Sequence, residues 1–507
     1  MQKSYVTTPA FYPSGNPHIG SAYTSIAADV YARAMRLAGV DTKFTTGTDE
    51  HGQKLLRSAE KEGLPPQEYV DKMSAKFHQL SEILNLSEHD FIRTTEERHK
   101  KTVTKIWNSF AEQGYLYKGN YAGWYSVPDE TYYTEDELID GKSPDSGHPV
   151  EWLEEESYYF KLSEFGDKLL AYYEDHPEFI QPNSRRNEVI SFVKGGLRDL
   201  SVSRSTFDWG IPVPGDDKHV MYVWIDALTN YLSSLGFPES ADWLSYFENA
   251  THIVGKDILR FHAVYWPAML MAANLPLPKK IFAHGFLVVD GQKMSKSKGN
   301  VVDPIEIIEK YGRDQFRYFL MREITFGQDG SFSEEALVRR INSELANDLG
   351  NLCQRVLTMV YKNCDGKIPD FMEMRDEDKE FLNHFNKQLI DDYIADIENL
   401  NYQNALKKVW EVIRLSNQYM DKQQPWILKK EQPEKMAHVL RVLTEALCTI
   451  SLLIEPFVPE SAQKMQSQLG FTGKTFKDLG DNAKLTHGAN IEQPEGIFMR
   501  LDDAQAA

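Results

Sequence analysis

The sequence predicts an α/β protein: a doubly wound parallel sheet, interrupted by a small inserted module and followed by an all-α helical bundle. Three observations carry this. Strand and helix patterns alternate up to about residue 117 and again from about 205, the grammar of a parallel sheet with helical crossovers. Between them, 118–204 breaks the alternation with short Tyr- and Trp-rich strands and acidic turns. From about 331 onward, apolar residues recur at helical spacing.

Taken in order, residues 3–8 read as a strand, followed by a turn rich in Pro, Gly and Asn over 13–17. A helix pattern runs from His18 to about Leu37 and stops at Gly39. A second strand over 41–46 leads into Gly47-Thr48-Asp49-Glu50-His51-Gly52. In the second half, 219–224, 251–254 and 280–283 read as strands and 257–273 as one helix. Ser331 and Glu334 have capping-box spacing at the start of a long helix. Leu337, Ile341, Leu345, Leu349, Leu352 and Val356 keep one apolar face down it. Further helices are expected over 376–400, 402–421 and 433–453. The domains implied are 1–117 and 205–330 as two halves of the sheet domain, 118–204 as the insert, and 331–507 as the helical domain.

The length of 507 residues suits about three domains. Aromatic residues make up 12%, too many for a disordered chain. There is no uninterrupted run of about 18 apolar residues. Residues 1–6 match neither a signal peptide nor an Arg-rich presequence, so a cytoplasmic protein is expected. Cys353, Cys364 and Cys448 are the three cysteines, and none has Cys-x-x-Cys spacing. The net charge of -19 argues on average against a nucleic-acid binder, but a local basic stripe is compatible with it.

Two motifs carry phosphate chemistry. Pro17-His18-Ile19-Gly20 follows a strand and opens a helix, where free N–H groups and the positive dipole end suit a phosphate. Taken alone, that match also describes an ordinary His at a helix start. Lys293-Met294-Ser295-Lys296-Ser297 places two lysines among small residues on a loop flanked by Gly291 and Gly299. This describes a cationic phosphate clamp or, more blandly, a solvated basic turn.

Together the two motifs resemble the signatures His-x-Gly-His and Lys-Met-Ser-Lys-Ser of the class I aminoacyl-tRNA synthetases. The first departs in ending on Ser21, which donates a hydrogen bond but carries no charge. The insert, about 85 residues, is too short for the editing domain of the Leu, Ile and Val enzymes. Pro9-Ala10-Phe11-Tyr12, the 47–52 segment, Tyr222-Val223-Trp224-Ile225-Asp226-Ala227, Gly255-Lys256-Asp257-Ile258, and Phe261-His262 with Trp266-Pro267 resemble the methionyl-tRNA synthetases over essentially the whole chain.

That resemblance implies a class I Rossmann-type sheet and a set of site residues. His18, Ser21, Lys293 and Lys296 would act on phosphates. Gly20, Gly255, His284, Gly285, Met294, Ser295 and Ser297 would bind ATP. Ala10, Tyr12, Trp224, Ala227, Leu228, Tyr231, Ile258, His262 and Trp266 would line a methionine pocket, with Asp49 pairing the ammonium. Aromatic walls suit a polarizable thioether, and Ile258, His262 and Trp266 are spaced for one helix face.

In the helical domain the resemblance implies an anticodon reader built from Asn347, Asn351, Arg355 and Trp426. Trp426 is equally describable as a plug between helices. The implied partners are L-methionine, ATP with Mg2+, and tRNA(Met), without DNA or membrane, and a monomer is expected. Trp124-Tyr125-Ser126-Val127-Pro128-Asp129-Glu130 lacks the cysteines of the zinc-binding branch, so no zinc is expected. The alternatives are an amino-acid ligase with another acceptor and an RNA-binding synthetase paralogue.

Overall fold

The computed structural model describes residues 2–127, 131–144, 146–289, 292–293, 301–479 and 484–501. The chain divides into two compact units. One comprises Lys3–Ala28 and Thr42–His284; the other comprises Met1–Gln2, Asp29–Asp41 and Gly285–Ala507. This division separates 205–330 at Gly285, where the sequence expects one half-domain ending at 330.

The first unit is built on a six-stranded sheet in the order Asp90–Arg93, Asp41–Thr48, Lys3–Phe11, Ala250–Gly255, Lys280–His284, Ile180–Gln181. Lys3–Phe11 pairs in parallel with Ala250–Gly255, and that strand in parallel with Lys280–His284. The chain winds outward in one direction before residue 118 and in the other after residue 204. The reversal of order between Lys3–Phe11 and Ala250–Gly255 opens a crevice at the strands' C-terminal ends, where doubly wound sheets bind ligands.

The insert supplies a separate antiparallel sheet in the order Thr131–Tyr133, Leu116–Ser126, Glu151–Phe160, Leu200–Ser201. Within the same stretch, Ile180–Gln181 returns to the edge of the main sheet, with Ile180 opposite Ile281. One strand expected from the sequence also changes. Residues 219–224 are not one strand. Asp216–Met221 pairs antiparallel with Ser203–Arg204, and helix Val223–Ser233 starts directly after it. Trp224 therefore lies on a helix.

In the second unit the long helix begins at Glu334, not near Ser331. Ser331 is in the strand Gly330–Phe332, opposite Val288. The cap is Ser333, whose side chain accepts from the Ala336 amide at 3.3 Å. The apolar stripe from Leu337 to Val356 is buried as expected, but Ile341–Gly350 winds as a π-helix inside it. Residues 376–400 form two helices, Asp376–Asn383 and Lys387–Glu398. Asn386 caps the second by accepting from Leu389.

Helix Pro433–Ile454 is long and apolar enough by composition to cross a membrane, yet it is almost wholly buried inside the protein. It packs against Asn351–Asn363, Tyr402–Gln423 and Pro459–Leu469 as the centre of the bundle. Two charges interrupt its apolar run and are reconciled with burial by pairing. Arg441 Nη2 lies 2.8 Å from Glu445 Oε1.

Candidate active site

Burial packs an aromatic cluster on helix Val223–Ser233 and on the helical stretch after Gly255. The Tyr231 hydroxyl lies 2.7 Å from His262 Nε2, and His262 Nδ1 lies 2.9 Å from the Ile258 carbonyl oxygen. A carbonyl only accepts, so Nδ1 carries the ring proton and Tyr231 donates to Nε2. Burial pushes the His262 pKa down to about 4, against a smaller upward effect from the Ile258 carbonyl. The ring is neutral at pH 7.

Trp266 packs beside Tyr231, with ring centroids 6.1 Å apart, and is 1% exposed. Trp224 stacks on Phe261 at 3.6 Å and stands edge-on to His262. Ala227 and Leu228 are buried on the same helix as Tyr231, and Ile258 is half-buried. The expected single helix over 257–273 is three pieces: a 3-10 turn Lys256–Ile258, a π-helical turn Phe261–Tyr265, and an α-helix Trp266–Ala272. His262 and Trp266 nevertheless both reach Tyr231.

Ala10 and Tyr12 stand at the C-terminal end of Lys3–Phe11. Asp49 follows the neighbouring strand, and its amide donates to the Phe11 carbonyl at 2.9 Å. The carboxylate side chain is 6% exposed. Its neighbours in sequence are anchored on both sides. Glu50 is buried and takes a bidentate pair from Arg93, Nε to Oε1 at 2.7 Å and Nη2 to Oε2 at 3.0 Å. His51 Nδ1 donates to Asp226 Oδ2 at 2.6 Å.

At the Pro17–Gly20 motif, helix Ile19–Leu37 opens directly after His18. The Gly20 amide donates to His18 Nδ1 at 3.0 Å. The helix-start N–H is thus used by the imidazole, and a neutral ring carries its proton on Nε2. A Cβ on Gly20 would meet His18 Cε1 at 2.8 Å, which gives the glycine a reason beyond ligand approach. His18 is exposed, whereas Ser21 is buried at 6% exposure. His284 lies opposite Gly255 in the sheet and is 2.7 Å from Thr24 Oγ1, which also donates to the Gly20 carbonyl. Gly285 opens the last segment of the second unit, and a Cβ there would lie 2.3 Å from backbone atoms of Gln328.

The second unit carries a polar groove. Asn347 and Asn351 are exposed on successive turns, with Asn351 Nδ2 donating to Asn347 Oδ1 at 3.4 Å. Arg355 Nη2 reaches Asp421 at 2.9 Å, and its guanidinium lies 5.3 Å from the Trp426 ring centre. Asp348, Arg414, Asn417 and Gln418 also line it. Trp426 is 42% exposed, so it is not a plug between helices. The four residues singled out for base reading stand together.

Residues 4–150 and 135–357 match the family model of class I tRNA synthetases (M), and 368–507 match the anticodon binding domain of methionyl tRNA ligase. The chain belongs to the methionyl-tRNA synthetases. The methionine--tRNA ligase of Brucella suis biovar 1 is 52% identical over 99% of both chains. That of Bacillus subtilis is 49% identical over 98% of this chain and 78% of its own. The Mycobacterium tuberculosis methionyl-tRNA synthetase in complex with methionyl-adenylate superposes with a TM-score of 0.95 at 46% identity, over 99% of this chain and 100% of that one.

In this methionyl-tRNA synthetase the second phosphate motif is only partly on view. The backbone of Lys293 closes the strand Gln292–Lys293, opposite Val288. Met294, Ser295, Lys296 and Ser297 lie outside the described residues, as do Pro128, Asp129 and Glu130 of the insert. Asp226 belongs to the Tyr222–Ala227 motif, but the sequence assigns no role to it or to His99. His99 Nε2 donates to Asp226 Oδ1 at 2.7 Å, so one carboxylate holds two imidazoles. The two stand 127 positions apart in sequence, so no periodicity joins the pair. The signal in the sequence is that Asp226 is the one charged residue of helix Val223–Ser233.

Proposed function

We propose that the chain activates L-methionine with ATP and transfers it to the 3′ end of tRNA(Met). The observation that carries this is the buried aromatic cluster in which a neutral His262, Tyr231 and Trp266 meet beside Trp224. A pocket of aromatic faces with one uncharged imidazole suits a thioether and disfavours a charged side chain. Asp49, anchored to the strand end that carries Ala10 and Tyr12, takes the substrate ammonium.

In the first step a methionine carboxylate oxygen attacks the α-phosphorus of ATP. The bond to the bridging oxygen breaks, and pyrophosphate leaves with its electron pair. In the second, a terminal ribose hydroxyl attacks the activated carbonyl, AMP departs, and the hydroxyl proton passes to the phosphate or solvent. No protein nucleophile is needed, so the residues contribute position and charge. His18 donates from Nε2 to a phosphate oxygen, with Ser21 and Gly20 in the same turn. Lys293 and Lys296 hold the departing pyrophosphate. Gly255, His284, Gly285, Met294, Ser295 and Ser297 bound the nucleotide. Asn347, Asn351, Arg355 and Trp426 read the anticodon.

Mg2+ accompanies ATP, held by phosphates and water. Among the described residues no group of three His, Cys, Asp or Glu is disposed to supply a dedicated cage. We further propose a cytoplasmic monomer without zinc, DNA or membrane partners. Incubation with methionine and ATP, without tRNA, tests the first step. Methionyl-adenylate retained on the protein, discharged on adding tRNA(Met), is the expected result. Absence of the adenylate overturns the reading.

A further inference from the structure

The buried charge cluster around Asp226 has no part in the chemistry above. Asp226, His51 and His99 are all buried. His51 Nδ1 donates to Oδ2 at 2.6 Å, and His99 Nε2 to Oδ1 at 2.7 Å. His99 Nδ1 lies 2.8 Å from Ser233 Oγ. Burial works to raise the Asp226 pKa, but the two imidazoles outweigh it and hold the group below the usual carboxylate range. The carboxylate thus accepts from both rings at once.

Its position gives this cluster a consequence. Asp226 lies on helix Val223–Ser233, which also supplies Trp224, Ala227, Leu228 and Tyr231. His51 stands two residues beyond Asp49. Glu50, between them, is fixed from the other side by Arg93, and its carbonyl accepts from Trp209 Nε1 at 2.8 Å. The segment after strand Asp41–Thr48 is therefore pinned at Glu50 and at His51, and the second pin runs to the pocket helix.

We propose that Asp226 is a positioning residue for amino-acid recognition. Acting through His51, it sets the distance between the Asp49 carboxylate and the pocket that takes the side chain. This rests on the reading that Asp49 pairs with the substrate ammonium. It makes the cluster a determinant of selectivity for an α-amino acid over a thioether acid that lacks the amino group.

The test uses the full chain and two ligands, L-methionine and 4-(methylthio)butanoate, the same thioether acid without the amino group. Asp226→Asn keeps the shape of the side chain but presents N–H groups to one of the two imidazoles. His51→Gln cuts the link while leaving Asp226 to His99, and it decides the matter if Asp226→Asn does not fold. Each is expected to weaken methionine binding about tenfold, a loss of about 1.4 kcal/mol. Each should leave the analogue within about twofold of the parent, on the same conversion. Adding either change to Asp49→Asn should cost nothing further, since both act through one carboxylate.

If Asp49→Asn itself leaves the ratio of the two affinities unchanged, the reading of Asp49 fails and the inference fails with it. If Asp49→Asn collapses the ratio while Asp226→Asn and His51→Gln weaken both ligands alike, or neither, the cluster is only structural. The role of Asp49 then stands.

Discussion

Tyr231 donates its hydroxyl to His262 Nε2 at 2.7 Å, and both side chains are fully inside the protein. The hydrogen bond decides which nitrogen of His262 carries the proton and leaves a neutral imidazole facing the pocket. Tyr231→Phe removes the donor and strands a buried acceptor, at a cost of about 1–3 kcal/mol. The expected outcome is a raised KM for methionine in pyrophosphate exchange, with KM for ATP within error of the parent. Equal changes in both constants would contradict the assignment.

The same pair sets a pH dependence. His262 titrates near 4 in the folded chain against an ordinary value of 6.5, because burial disfavours its charged form. Between those values the unfolded chain binds the proton and the folded chain does not. Stability from this group is full above 6.5, falls as pH drops toward 4, and falls no further below it. The shift is on the order of 3 kcal/mol. His252, also buried, shifts in the same direction. Urea midpoints at pH 7.5 and pH 5 should fall less for His262→Gln than for the parent. Methionine affinity should be flat between pH 6 and 8.

Gly20 tests the phosphate end. A methyl group there would meet the His18 ring at 2.8 Å and turn it away. Displacement of a catalytic group by about 1 Å costs on the order of a hundredfold. Gly20→Ala should slow adenylate formation by about that factor, with methionine binding unchanged when followed without ATP. An unaltered single-turnover rate would exclude His18 from the step.

Trp426 and Arg355 test the groove. Stacking of a base on an aromatic ring contributes about 1–3 kcal/mol. Trp426→Ala should raise KM for tRNA(Met) by about tenfold at a cost near 1.4 kcal/mol. Pyrophosphate exchange without tRNA should be unaffected. A change in exchange would instead point to a folding defect.

Absence of zinc has its own check. Elemental analysis of the purified chain should find less than about one-tenth of an equivalent, because a structural zinc site needs four ligands of the Cys or His type. Stoichiometric zinc would overturn the proposal of a zinc-free chain.

Much of the fold is readable in sequence because its signals are local. The helix after His18, the strands at 41 and 280, and the apolar stripe from Leu337 to Val356 depend on spacing within one element. What escapes depends on contacts between distant elements. The 331 cap is displaced to Ser333 because Ser331 is taken by pairing with Val288, a contact that spacing does not reveal. The single helix over 257–273 breaks into 3-10, π and α pieces, since a run of apolar residues does not distinguish those windings. The Asp226 cluster joins residues 51, 99 and 226, and only the folded chain brings them together.

The central claim is that this pocket selects methionine. ATP–pyrophosphate exchange run separately with each of the 20 amino acids tests it most directly. Exchange well above background is expected with methionine alone. Exchange driven by a different amino acid, or by none, would contradict it.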